Sequence, residues 1–165
     1  MKNLVLSLLL FFILLHTAFA EQLPVYSLSY DPSRNAMQDG RDAIKLAKAT
    51  HRRILIEVGG DWCKWCHILD RFLNNNAEIK KQLHQTFVLL KVNVSDENDN
   101  REFLKVFPRV LGYPHVFVTE SNGKLLLSKD ISQFFVKGKY SAERFEAFFK
   151  KFRKQSEIKK QIAHG

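Results

Sequence analysis

The chain has 165 residues, two cysteines and a formal net charge of +9, a length that suits one domain with a proper hydrophobic core. Cys63 and Cys66 lie so close that a loop between them would constrain the unfolded chain very little, which argues against a structural staple and for a redox or cofactor role. The positive excess suggests acidic partners or surfaces, but it falls largely between Lys150 and Lys160 without a nucleic-acid motif; it reads as a Lys-rich solvated helix face, and nucleic acid is not an expected partner.

At the N-terminus, Met1-Lys2-Asn3, the apolar stretch from Leu4 to Leu15, and Ala18-Phe19-Ala20 before Glu21 match the three regions of a secretory signal peptide. Residues 1–20 are therefore expected to be removed, leaving 21–165 as one exported domain, periplasmic or secreted. An uncleaved membrane anchor is the alternative, for which Leu4 to Ala20 is barely long enough. No cysteine sits near the cleavage site, so a lipid anchor is not expected.

Val25 to Tyr30 alternates weakly and suggests a short edge strand, closed by the turn residues Asp31-Pro32-Ser33. Ala43, Ile44, Leu46 and Ala47 give a first amphipathic helix. Arg53 to Val58 is apolar on both faces, as a central strand covered by helices on two sides must be. Gly59-Gly60-Asp61 ends it. A helical pattern then starts at Cys63, with Cys66, Leu69, Phe72 and Leu73 on one face; Asn74-Asn75-Asn76 breaks it before a second short helix from Ala77 to His84.

Phe87 to Val94 predicts a second buried strand, and Ser95 to Asn100 a polar loop. Phe103, Leu104 and Phe107 predict a helix that must end near Pro108. His115 to Thr119 and Lys124 to Leu127 flank Ser121-Asn122-Gly123, an Asn-Gly signal for an antiparallel hairpin. Ser141 caps a closing, basic C-terminal helix whose Phe145, Phe148, Phe149 and Phe152 recur at helical spacing and belong in the core.

The run Trp62-Cys63-Lys64-Trp65-Cys66-His67 carries two chemistries. Cys-x-x-Cys after an apolar strand and at the start of a helix is a redox motif, whereas Cys-x-x-Cys-His is also the attachment signal for c-type haem. The haem reading needs both cysteines as thioethers and His67 on the iron, but the preceding strand and the Asn-Gly hairpin are foreign to small helical cytochromes. Zinc is disfavoured because a helix cannot aim two thiolates and the adjacent His67 at one metal, so no metal is expected.

An alternating half followed by a hairpin and a final helix, with Trp-Cys-x-x-Cys after the first central strand, resembles the thioredoxin family over essentially the whole mature chain. The resemblance implies an α/β thioredoxin fold: a central mixed sheet flanked by helices, with a cis-proline before the hairpin. Gly112-Tyr113-Pro114 sits where the family has that proline, and the backbone of Tyr113 would then pair with a substrate strand. Glu57, six positions before Cys63, matches the buried acid of many thioredoxins; burial would raise its pKa and let it exchange a proton near neutral pH. The alternative is a Glu57 turned to solvent at the strand's end.

Gly59-Gly60-Asp61-Trp62-Cys63 is similar to exported bacterial reductant modules. Lys64 and Trp65 match neither the Gly-Pro of ordinary thioredoxin nor the Pro-His of strong disulfide donors, which leaves the direction of electron flow open.

At a helix N-terminus, unpaired N–H groups and the helix dipole stabilise a Cys63 thiolate, making Cys63 the nucleophile and the more exposed sulfur, with Cys66 resolving. Lys64 and protonated His67 would add positive charge beside it, or point to solvent. Trp62 would shield the sulfurs and frame a docking surface, and bulky Trp65 would restrict which substrates approach. His115 reads as an ordinary strand residue.

The expected activity is that of an exported thiol-disulfide oxidoreductase, reducing protein disulfides through Cys63 and Cys66. No bound cofactor is expected, and the family resemblance implies a membrane redox partner. Oxidase or isomerase action on the same fold, a haem protein and a non-enzymatic binding module are the alternatives.

Overall fold

The computed structural model describes the backbone of residues 27–164 and the side chains as far as Arg153. The expected signal peptide lies outside these residues, as do Val25 and Tyr26. Asn35 opens α1 (Ala36–Ala49), its Oδ1 accepting from the Gln38 N–H at 3.1 Å. The buried positions of α1 include Ala36, Ala43 and Ala47, small residues that let the helix lie close on the sheet.

Four strands form the sheet in the order β2-β1-β3-β4. β1 (Arg53–Gly59) and β2 (Phe87–Asn93) are parallel, with Arg53 opposite Phe87 and Gly59 opposite Asn93. β3 (His115–Thr119) runs antiparallel to β1, and β4 (Leu125–Asp130) antiparallel to β3. Every residue of β1, β2 and β3 is buried, as expected for strands covered on both faces, whereas β4 alternates because it lies at the edge.

The alternation of side chains divides the interior into two layers. Ile54, Ile56, Val58, Val88, Leu90, Val92 and Phe117 face α1 and Phe103. Leu55, Leu89, Val116 and Val118 face the other way, into a layer with Leu69 and Leu73 of α2 (Lys64–Asn75), Ile79 and Leu83 of α3 (Ala77–Thr86), and the phenylalanines of α5 (Ala142–His164). Phe145, Phe148, Phe149 and Phe152 are all buried, and three of them surround Phe87. Each such ring contributes about 2–3 kcal/mol through burial. Ser141 caps α5, its Oγ accepting from the Arg144 N–H at 3.3 Å. Glu57 and Lys91 occupy the second layer by the same alternation.

Three local expectations are corrected. Ser27 to Tyr30 is not a strand: of these four Ser27 bonds the edge of β2, its N–H donating to the Leu89 carbonyl at 3.2 Å, before a surface turn opens at Asp31. The helix expected to reach Pro108 is a single turn, α4 (Arg101–Leu104), which frees Phe107 to stack on Phe117 at 4.7 Å. β4 runs on to Asp130 because Ser128, Lys129 and Asp130 still find partners on β3. A 3-10 turn (Ile131–Phe134) and a small hairpin of β5 (Phe135–Val136) and β6 (Lys139–Tyr140) fill the stretch before α5. The Asn-Gly hairpin forms as expected, with Gly123 at φ +88°.

Candidate active site

β1 delivers the chain to Gly59, and a turn closed by the Cys63 N–H on the Gly60 carbonyl, at 3.0 Å, leads into α2. Cys63 is the N-cap of α2 in extended conformation, and its Sγ accepts from the Cys66 N–H at 3.1 Å. The cap position thus turns a backbone donor of the first helical turn, shared with the Cys63 carbonyl at 3.0 Å, towards this sulfur, an arrangement that favours a thiolate there. Cys63 and Cys66 are joined in a disulfide, with Cα atoms 5.3 Å apart. In this state neither sulfur is open to a haem thioether.

Cys63 is the more exposed of the two cysteines, as expected, but only narrowly. Cys63 is 3 % exposed and Cys66 0 %, in a buried cluster with Tyr30 against which Tyr113 packs. Gly59 permits this enclosure: a Cβ there would lie 2.6 Å from Cys66 Sγ and 2.8 Å from the Tyr30 hydroxyl.

Trp62 is largely exposed, its indole N–H donates to the Val94 carbonyl at 2.7 Å, and its ring meets Tyr113 edge-on at 5.3 Å. A Cβ on Gly60 would lie 2.3 Å from that indole nitrogen, so Gly60 makes room for the pose. Trp62 and four acidic residues, Asp61, Asp96, Glu97 and Asp99, border one cleft of about 750 Å³. On the other side Trp65 packs edge-on against Phe135 at 5.2 Å. Trp65, Tyr113, Pro114, Phe135 and Tyr140 line a second cleft of about 410 Å³. The Tyr113–Pro114 peptide is cis.

Glu57 is buried, not turned to solvent. The Tyr30 hydroxyl donates to its Oε1 at 2.5 Å, and Lys91 Nζ lies 3.7 Å away. Lys91 also bonds Asp70 of α2 and lies 4.6 Å over the Tyr30 ring. Burial pushes the Glu57 carboxyl above its usual range; Lys91 opposes this and Asp70 adds to it. Burial likewise pushes the Tyr30 phenol well above its ordinary value, with Glu57 beside it acting in the same direction. Tyr140 is pushed up to about 12 by burial and then by Glu57.

Lys64 is exposed at the first position of α2. His67 turns back to the loop before the helix, where its Nε2 lies 2.5 Å from the Asp61 carbonyl oxygen and 3.5 Å from the Asp61 carboxylate. His115 is buried in β3, with Nε2 2.8 Å from Ser128 Oγ, and desolvation lowers its pKa. Among the described residues, no group of three or more His, Cys, Asp or Glu is placed to hold a metal ion.

Sequence reasoning missed Tyr30, Lys91 and Asp70. Lys91 left a signal: a lysine inside a strand buried on both faces must find an anionic partner, and Glu57 is the acid in the neighbouring strand. Tyr30 left none, since nothing in its local pattern shows that the ring turns inward.

The family model described as "Thioredox_DsbH: Protein of unknown function, DUF255" matches residues 34–161. The chain belongs to this family. Among proteins similar to this Thioredox_DsbH member is the thiol:disulfide interchange protein DsbD of Colwellia psychrerythraea, 24 % identical over 154 residues. The alignment takes in 86 % of this chain but 24 % of that protein, so the chain spans about a quarter of its relative's length.

A solved structure described as a disulphide isomerase from Xylella fastidiosa Temecula1 is 26 % identical, with a TM-score of 0.63, covering 76 % of this chain and 96 % of that one. The oxidised C-terminal domain of Neisseria meningitidis DsbD matches with a TM-score of 0.54 at 17 % identity, over 76 % of this chain and 99 % of that domain. The Thioredox_DsbH chain therefore has the thioredoxin fold expected from its motifs.

Proposed function

We propose that this protein is a thiol-disulfide oxidoreductase that works through Cys63 and Cys66. The observation that carries the reading is the Cys63 sulfur at the cap of α2, accepting the Cys66 N–H while bonded to its partner sulfur one helical turn away. The similarity to a DsbD and to a disulphide isomerase supports the same chemistry.

In the reduced protein the Cys63 thiolate attacks one sulfur of a substrate disulfide. The Cys63–substrate bond forms, the substrate disulfide breaks, and one substrate thiolate leaves and takes a proton from solvent. Cys66, deprotonated with Glu57 as the base, then attacks Cys63 Sγ and expels the second substrate sulfur. Two electrons pass from the dithiol to the substrate. Oxidation of a substrate dithiol is the same sequence reversed, and in neither direction is a bound cofactor required.

The Trp65, Tyr113 and Pro114 cleft beside the disulfide receives the substrate, and Trp62, which borders the acidic cleft, buttresses Tyr113 through their edge contact. Export and reduction are the favoured setting, with electrons supplied by a membrane redox protein. The isomerase reading also has support, in the name of the Xylella structure.

The test is turnover on two substrates. Catalysed reduction of insulin disulfides supports the reductase, reactivation of scrambled ribonuclease the isomerase. Activity on both that survives Cys63→Ser would overturn the reading.

A further inference from the structure

The cluster under the disulfide contains a group that the reaction above leaves unused, the Tyr30 hydroxyl. Tyr30 comes from the segment before α1, yet it is 8 % exposed and packs with Cys63 and Cys66. The Cys66 sulfur and the Tyr30 oxygen flank one point at the end of β1, lying 2.6 and 2.8 Å from where a Gly59 Cβ would be. The hydroxyl hydrogen is directed to Glu57 Oε1 at 2.5 Å. A hydroxyl that donates once still has lone pairs with which to accept. We propose that Tyr30 relays the proton between Cys66 and Glu57 when the mixed disulfide is resolved, an inference that rests on the thiol-disulfide exchange reading.

In the mixed disulfide, Cys63 Sγ is bonded to a substrate sulfur and Cys66 is a thiol. The Cys66 proton passes to the Tyr30 oxygen as the Tyr30 proton passes to the Glu57 carboxylate. The Cys66 sulfur, now holding the electron pair, attacks Cys63 Sγ. The Cys63–Cys66 bond forms, the Cys63–substrate bond breaks, and the substrate sulfur leaves with its electron pair and takes a proton from solvent. Glu57 ends protonated and returns its proton to solvent before the next turnover.

Tyr30 exchanges one proton for another and never carries charge. That feature matters here, because burial first, and then Glu57 and Asp70, oppose a tyrosinate at this position. The charged and titratable groups facing Tyr30 are Glu57 on β1, Lys91 on β2, Asp70 on α2 and Tyr140 on β6. Glu57 is the one its hydroxyl bonds. Lys91 lies over the ring face instead, where it holds the ring in place without receiving the proton.

The test is a single turnover of the reduced protein with oxidised glutathione, acid-quenched and read by mass as the glutathione adduct on Cys63 appears and decays. In Tyr30→Phe the adduct should form at the wild-type rate and decay at least about tenfold more slowly. The solvent isotope effect on decay should fall, and adding Glu57→Gln should cost nothing further, since the two groups act in one chain.

Decay at the wild-type rate, or Tyr30→Phe and Glu57→Gln penalties that multiply, would overturn the relay. Should Tyr30→Phe fail to fold, 3-fluorotyrosine at position 30 keeps the packing and makes the phenol more acidic. A changed decay rate and pH profile would then support the relay, and unchanged ones would overturn it. A wild-type protein that forms no Cys63 adduct would instead overturn the exchange reading itself, a result distinct from all of these.

Discussion

Lys91 stands in register with Glu57 on the adjacent parallel strand, its ammonium 3.7 Å from the carboxylate, with both side chains 2 % exposed. The same ammonium bonds Asp70. One cation thus serves a buried carboxylate and a partly exposed one, and burial rather than Lys91 decides the direction of the Glu57 shift.

Removing that cation leaves buried acid without its charge partner. Lys91→Met should cost about 3–5 kcal/mol, read by urea unfolding of the oxidised protein at neutral pH. Glu57→Gln in that background should recover part of the loss. A cost under about 1 kcal/mol would mean that the pair behaves as a solvated one.

Because the folded pKa of Glu57 is raised, the folded protein retains a proton that the unfolded chain gives up near 4.5. Its contribution to stability is fully present below that value and is lost as pH rises through the folded pKa. Burial lowers His84 and His115, whose contributions are present above about 6.5 and are lost as pH falls through their folded values. The histidines are common to wild type and Glu57→Gln, so comparing the two isolates the carboxyl. Tm measured against pH at fixed salt should fall less steeply above about 4.5 in Glu57→Gln, and parallel curves would contradict the raised pKa.

Gly59→Ala places a methyl group where Cys66 Sγ and Tyr30 already meet. A loss of about 1–3 kcal/mol is expected on denaturing the oxidised protein. An unchanged midpoint would show that the tyrosine can withdraw freely.

The sheet could be read from the sequence because β1, β2 and β3 are apolar on both faces, and the hairpin because Asn122-Gly123 specifies its turn. The redox role of Cys63 and Cys66 followed from their spacing, whereas Glu57 and Pro114 were implied by the resemblance to the thioredoxin family. What escaped depends on tertiary packing. Tyr30 lies in a segment whose weak alternation suggests an edge strand, and it matters only because Gly59 leaves space for it, while Phe107 leaves α4 to stack on a strand. The β5–β6 hairpin has two residues in each strand, too few for an alternation to show, and its turn puts Lys137, an uncommon residue there, at φ +49°.

Trp65 is 48 % exposed and lines the cleft beside Pro114. Trp65→Ala should raise KM for a peptide disulfide about tenfold or more, in line with the loss of an aromatic anchor, while exchange with oxidised glutathione changes little. Equal losses on both substrates would place Trp65 in the chemistry rather than in docking.

The reduction potential of the Cys63–Cys66 pair tests the central claim most directly, measured in glutathione or dithiothreitol buffers with tryptophan fluorescence as the signal. A reversible two-electron transition below about −230 mV is the predicted result. A transition above about −150 mV would contradict the reductant assignment, and a pair that does not titrate at all would contradict thiol-disulfide exchange.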